Sequence, residues 1–173
     1  RRRAIVDGGG YSAEAYGELA GLGLAGLYVS DDHGGLGMGP VEAMVVMEEL
    51  GRGMVLEPLG QTLIASAVLQ GYAGADLQAA WLPRIAGGEA LVVLAHQERG
   101  ARYRLDRCQT AAKASGNGHT LSGSKNLVPV ADQAQAFIVP AVLDGQIALF
   151  LLEAGGNGVR TTGHHTQDGS RAG

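Results

Sequence analysis

Apolar side chains recur every three or four residues through the first half of the chain and in short runs or alternation through the second. Residues 12–22 place Ala15, Tyr16, Leu19 and Leu22 at helical spacing behind Ser12, whose hydroxyl suits an N-cap. A strand-like apolar stretch at 27–29 follows, and then a glycine-rich loop at 31–37. Pro40 suits a first helical position, with Val41, Met44, Val45 and Leu50 predicted on the inner side, Glu42 and Glu49 facing water and Gly51 ending the helix. A third helix is predicted over 59–70 with Leu63, Ile64, Ala67 and Val68 as its core stripe. A fourth runs from Asp76, with Leu77, Ala80 and Trp81 inward, and closes at Gly87-Gly88.

The period then changes. Residues 90–95 form a short apolar run bounded by turn signals, the length of a buried strand. Thr110, Ala112 and Ala114 alternate with Ala111 and Lys113, and Gly116-Asn117-Gly118 turns the chain into a strand at 119–124. Asp144-Gly145 between the apolar runs 137–142 and 147–152 predicts a hairpin, because its two central residues need positive φ. Helices first and strands afterwards predict an α+β chain divided near Gly87-Gly88. The strands leave an open sheet, which implies that something covers it.

The chain has 173 residues, 46% of them hydrophobic and 17% charged, enough to bury a core in one or two domains. Its 29 glycines follow no three-residue period, which excludes a collagen-like reading. Thirteen basic and 17 acidic residues give a net charge of -4, so no broad basic surface marks a nucleic-acid binder. A basic cluster at Arg1–Arg3 reads as a solvated end, and a second lies at Arg99, Arg102, Arg104 and Arg107. The single cysteine, Cys108, cannot form an internal disulfide, and no apolar run approaches the ~20 residues that cross a bilayer. A soluble chain in a reducing, cytoplasmic setting is the expectation.

Gly21-Leu22-Gly23-Leu24-Ala25-Gly26 matches G-x-G-x-x-G, but a helix precedes it where a dinucleotide site needs a strand, so it reads as a helix end. His164 and His165 are adjacent in an extended segment and point to opposite faces, which argues against one shared metal. No local signature joins Cys108 or a serine to a histidine and a carboxylate. Glu98, just past the apolar run, has the chemistry of a proton-transfer group, but pairing with the nearby arginines is the expected role. Those arginines, around Tyr103, also have the chemistry to hold an anion.

Taken in order, the stretches LAGLGLAGLYVSDDHGGLG (19–37), MEELGR (47–52), WLPRIAGGE (81–89), LAHQERGARYRL (94–105), TAAKASGNGHTLSGSK (110–125), ADQAQAFIV (131–139) and LFLLEAGGNGV (149–159) resemble acyl-CoA dehydrogenases over nearly the whole chain. The AHQERGARY form and Asp168-Gly169 look closest to the branch of pimeloyl-CoA dehydrogenase small subunits. The resemblance implies an amino-terminal helical domain over 1–88 and an antiparallel β-barrel or sandwich middle domain over 89–173. It also implies a carboxy-terminal helical bundle outside this chain that supplies the catalytic carboxylate. It further implies FAD as cofactor, an acyl-CoA substrate oxidised to its 2,3-enoyl form, an electron-transfer flavoprotein or similar acceptor, and a dimer or tetramer, homomeric or heteromeric.

By the same resemblance, one flavin-facing stretch corresponds to Ala95, His96 and Gln97, and the other to Leu127, Val128 and Pro129. The common pattern has tryptophan and threonine where this chain has Leu127 and Pro129. Leu127 cannot stack as an indole would, and Pro129 offers neither hydroxyl nor N–H. Arg102 and Tyr103 fall where the family touches coenzyme A, and Gln61 and Ile64 on the third helix correspond to the acyl-cavity wall. A non-catalytic partner subunit with little flavin binding is the alternative that Leu127 and Pro129 favour.

Overall fold

The structure, a computed structural model, describes residues 2–102 and 104–173, so Arg1 and Tyr103 lie outside the described residues. Among the described residues five α-helices come first: α1 (Arg2–Asp7), α2 (Ala13–Gly21), α3 (Pro40–Arg52), α4 (Leu59–Tyr72) and α5 (Ala75–Ala86). Seven strands follow: β1 (Val92–Leu94), β2 (Ala111–Ser115), β3 (Gly118–Ser122), β4 (Ala136–Leu143), β5 (Gln146–Glu153), β6 (His164–His165) and β7 (Arg171–Ala172).

Local chemistry explains several boundaries. Ser12 caps α2 by accepting the Ala15 N–H at 3.2 Å. Glu42 reaches back from the first turn of α3 to the Gly39 N–H at 2.9 Å, and Pro40 fills a position that needs no donor. Gly21–Gly26 is indeed a helix end: α2 stops at Gly21, Gly23 takes φ 81°, and a 3-10 turn covers Leu24–Gly26. The β4–β5 turn has Asp144 at φ 49° and Gly145 at φ 81°, closing the register at Leu143 and Gln146.

Residues 27–29 are not a strand. They follow the 3-10 turn as bends, with the carbonyls of Leu27 and Val29 accepting from Met38 and Gly37 at 2.8 Å, so a folded-back loop replaces sheet pairing.

Three helix faces also differ from the periodicity. On α3, Val41, Met44 and Val45 face solvent, while Ala43 is buried and Val46 and Leu50 pack partly inward. On α4, Leu59, Thr62, Leu63, Ala65, Ser66 and Leu69 are buried, whereas Ile64 and Ala67 are exposed. This helix is apolar nearly all round, so its sequence does not select a face. Its buried hydroxyls are satisfied: Thr62 Oγ1 meets Tyr16 OH at 2.8 Å, and Ser66 donates to the Thr62 carbonyl at 2.6 Å. On α5, Trp81, Leu82 and Ile85 turn inward, while Leu77 and Ala80 are exposed. The Arg84 guanidinium lies 4.6 Å from the Trp81 ring centre.

The main sheet has five strands in the order β1-β4-β2-β3, with β5 pairing β4 along its other edge. It is mixed and open, which corrects the expectation of an antiparallel barrel or sandwich. β1 enters from the helices and β4 returns after a long crossover, so β1 runs parallel to β4, as does β2 at the far end of β4. Helices and strands share their cores. Tyr16, Ala20 and Leu59 pack with Leu91, Val93 and Phe137, while Trp81, Leu82 and Ile85 pack with Val92 and Ile138. No described helix is long and apolar enough to cross a membrane.

Candidate functional site

Beyond β1 the chain leaves the sheet at Ala95, whose N–H still donates to the Ile138 carbonyl at 2.9 Å. Ala95 is buried, His96 exposed and Gln97 half-buried. The Gln97 carbonyl accepts the Asn126 N–H at 3.0 Å, which sets residues 95–97 beside residues 127–129 although 30 or more positions separate them. In the second stretch Leu127 is 52% exposed with φ 54°, Val128 is buried and Pro129 half-buried. Val128 exchanges both backbone hydrogen bonds with Gly173, at 2.7 and 2.9 Å, and the Val130 N–H donates to Arg171. Pro129 therefore sits at the position of this ladder that needs no donor, which is why the fold accepts proline there. Val130, β-branched and buried, holds φ 46°, so unfavourable backbone conformations flank Val128-Pro129 on both sides.

Glu98 joins these stretches to a third. Its side chain is 3% exposed, yet every donor around it is used. Oε1 accepts from Lys125 Nζ at 2.7 Å, Thr110 Oγ1 at 2.6 Å and Thr110 N–H at 3.0 Å, and Oε2 accepts from Gln109 N–H at 2.6 Å. The Cys108 thiol stands 3.5 Å from the same carboxylate and 3.3 Å from the Pro140 carbonyl. Burial pushes the Glu98 carboxyl up, but the hydrogen bonds from Lys125, Thr110 and Gln109 outweigh it and hold the pKa at about 2. A carboxylate that weakly basic is a poor proton acceptor near neutrality, so its role is to hold structure. The expected arginine partners are corrected to Lys125. Arg99, Arg102 and Arg107 face solvent, and Arg104 forms a two-point pair with Asp106 at 2.7 and 2.5 Å.

Other candidates fall elsewhere. Arg102 is exposed with φ 50° on the loop that Glu98 closes, and its predicted neighbour Tyr103 lies outside the described residues. Gln61 and Ile64 occupy α4, Ile64 on its exposed side, and neither lines the main trough. That trough, about 1090 Å³, runs over the open sheet between Ala95, Lys125, Val128, Phe137, Phe150 and Arg160. His164 and His165 form β6, and His165 Nε2 lies 3.2 Å from Arg171 Nη1. Sequence reasoning missed Asn126, whose Oδ1 is buried with no hydrogen-bond partner among the described residues. Its position one residue before Leu127, where the family resemblance begins a candidate stretch, was the available signal.

Residues 2–89 match the acyl-CoA dehydrogenase, N-terminal domain family. Acyl-CoA dehydrogenase FadE27 of Mycobacterium tuberculosis is 29% identical over 154 residues, covering 88% of this chain and 40% of that protein. Among solved structures, the Tcur3481-Tcur3483 steroid ACAD G363A variant superposes with a TM-score of 0.92 at 29% identity, over 99% of this chain and 47% of that one. The ChsE4-ChsE5 complex from Mycobacterium tuberculosis superposes with a TM-score of 0.83 at 27% identity, over 93% and 43%. The chain thus spans less than half the length of these relatives. With a family match over more than half of its residues, the chain belongs to the acyl-CoA dehydrogenase family.

Proposed function

We propose that the polypeptide carrying this chain is an FAD-dependent subunit that oxidises an acyl-CoA thioester to its 2,3-enoyl form. Residues 1–88 would serve as the helical domain and 89–173 as part of the middle domain. The observation that carries the reading is the hydrogen bond from Asn126 to Gln97, which joins the two stretches this reading assigns to the flavin, together with Asn126 Oδ1, a buried acceptor with no hydrogen-bond partner among the described residues. A buried acceptor without a donor is costly, and the N–H edge of an isoalloxazine ring is a donor of the right kind. On this fit, Asn126 and the Gln97 amide would hold the polar edge of the ring. Ala95 and Val128 would keep water from it, and Leu127 would offer an aliphatic surface in place of an aromatic one. Pro129 turns no N–H toward a ligand, so the hydrogen bonding falls to its neighbours.

When bound, FAD supplies the acceptor for hydride leaving the acyl β-carbon. The base for the α-proton is assigned to sequence outside these residues, since Glu98, with a pKa of about 2, is unsuited to it. The solvent-facing guanidinium of Arg102 would meet the anionic coenzyme A side, and Gln61 and Ile64 would wall the acyl chain. Electrons would pass to an electron-transfer flavoprotein or a similar acceptor, from a homomeric or heteromeric assembly. The AHQERGARY stretch and Asp168-Gly169 support a place near the pimeloyl-CoA small-subunit branch.

The visible absorption spectrum of the polypeptide, purified in full with any obligate partner, tests this reading. Flavin bands at near-stoichiometric FAD are expected. Their absence, in the presence of added FAD, would overturn it in favour of a non-catalytic partner subunit.

A further inference from the structure

Glu98 lies where three functional segments meet. It directly follows the flavin-facing residues 95–97. Its carboxylate binds the Gln109 and Thr110 N–H groups, which closes the loop over 99–108 that carries Arg102. It also binds Lys125, which immediately precedes Asn126 and the flavin-facing residues 127–129. The Lys125 side chain is 9% exposed and that of Glu98 3%, so the pair is screened by solvent and salt much less than a surface pair would be. Sheet hydrogen bonding does not align these segments: β1 ends at Leu94 and β3 at Ser122, and between the two flavin-facing stretches the Asn126 to Gln97 bond is one backbone link. The carboxylate–ammonium pair supplies the second tie, charged on both sides.

We infer that the Glu98–Lys125 pair is a positioning device that fixes the spacing of the two flavin-facing stretches and anchors the substrate loop to them. This rests on the flavin reading given above. Neither side chain touches the ring in this account; both act through Gln97 and Asn126. Groups that orient binding residues typically shift affinity by about 10–100-fold when removed, because the binding atoms lose their preset geometry.

FAD titrations into the apo form of the full polypeptide, for wild type and Lys125→Met, Lys125→Arg, Glu98→Gln and Leu82→Ala, separate positioning from general stability. Leu82 is fully buried where α5 packs on β1 and β4, in a different core cluster from Ala95 and Val128, so its truncation lowers the melting temperature while both members of the pair stay in place. The expected result is an FAD dissociation constant raised about tenfold or more in Lys125→Met, restored to within a few fold by Lys125→Arg, and little changed in Leu82→Ala. Glu98→Gln should follow Lys125→Met; if it does not fold, Lys125→Met against Leu82→Ala carries the comparison. An unchanged dissociation constant in Lys125→Met overturns the inference, as does an equal rise in Leu82→Ala at matched loss of melting temperature. Wild type that takes up no FAD overturns the flavin reading itself, and the inference with it.

Discussion

Among single residues, two buried carboxylates are handled in opposite ways. Glu98 is saturated with donors, and its pKa sits at about 2 against an ordinary 4.5. Because the folded value is the lower one, its ionisation stabilises the fold above about pH 4.5, and that contribution fades as pH falls toward 2. The shift corresponds to about 3 kcal/mol. Acid unfolding followed by circular dichroism should therefore show Glu98→Gln with a flatter stability profile between pH 4.5 and 2 than wild type; parallel profiles would contradict the assignment. Glu57 is 7% exposed, and its Oε1 has no partner among the described residues. A buried acceptor without a donor is costly, so Glu57→Met, which removes it at similar length, is expected to stabilise the chain by about 1 kcal/mol in urea unfolding at neutral pH. A loss of stability would mean that the carboxylate is matched by a donor. Glu98 was readable from the sequence as a structural carboxylate but its partner was not, because Lys125 is 27 positions away and only the folded chain brings it to 2.7 Å.

The same divide between local and distant information runs through the helices, strands and turns. The Ser12 cap, the Pro40 start and the Asp144-Gly145 hairpin were legible because each is settled by chemistry within a few residues. The inner faces of α3 and α4 were not, since both helices carry apolar residues on more than one side and tertiary packing makes the choice. Residues 27–29 looked like a strand because Leu27 and Val29 are buried, yet their partners are loop residues that fold back over them. That loop imposes a sharp steric demand. A Cβ on Gly35 would stand 2.1 Å from the Val29 carbonyl oxygen, whereas one on Gly34, at φ 78°, meets nothing within 4 Å. Gly35→Ala is expected to cost about 2 kcal/mol or more through backbone displacement, and Gly34→Ala about 1 kcal/mol through its left-handed conformation. Thermal melts of the two variants check the order, and a milder effect at Gly35 would contradict the loop packing.

At the scale of the whole molecule, helices and strands form a continuous body whose trough and exposed α3 face remain open. The α+β class and the change near Gly87-Gly88 were readable from periodicity, but the parallel pairing of β1 with β4 was not, because strand partners across a long crossover leave no mark on local pattern. The two candidate stretches, 95–97 and 127–129, came from the family resemblance and not from local pattern. Their junction at Glu98, Lys125 and Asn126 emerged only from distances. Anaerobic addition of acyl-CoA thioesters of graded chain length and shape to the FAD-loaded, full polypeptide with any obligate partner tests the central claim most directly. The account predicts bleaching of the visible flavin band with stoichiometric formation of the 2,3-enoyl-CoA for at least one thioester; FAD that stays oxidised with every thioester would contradict it.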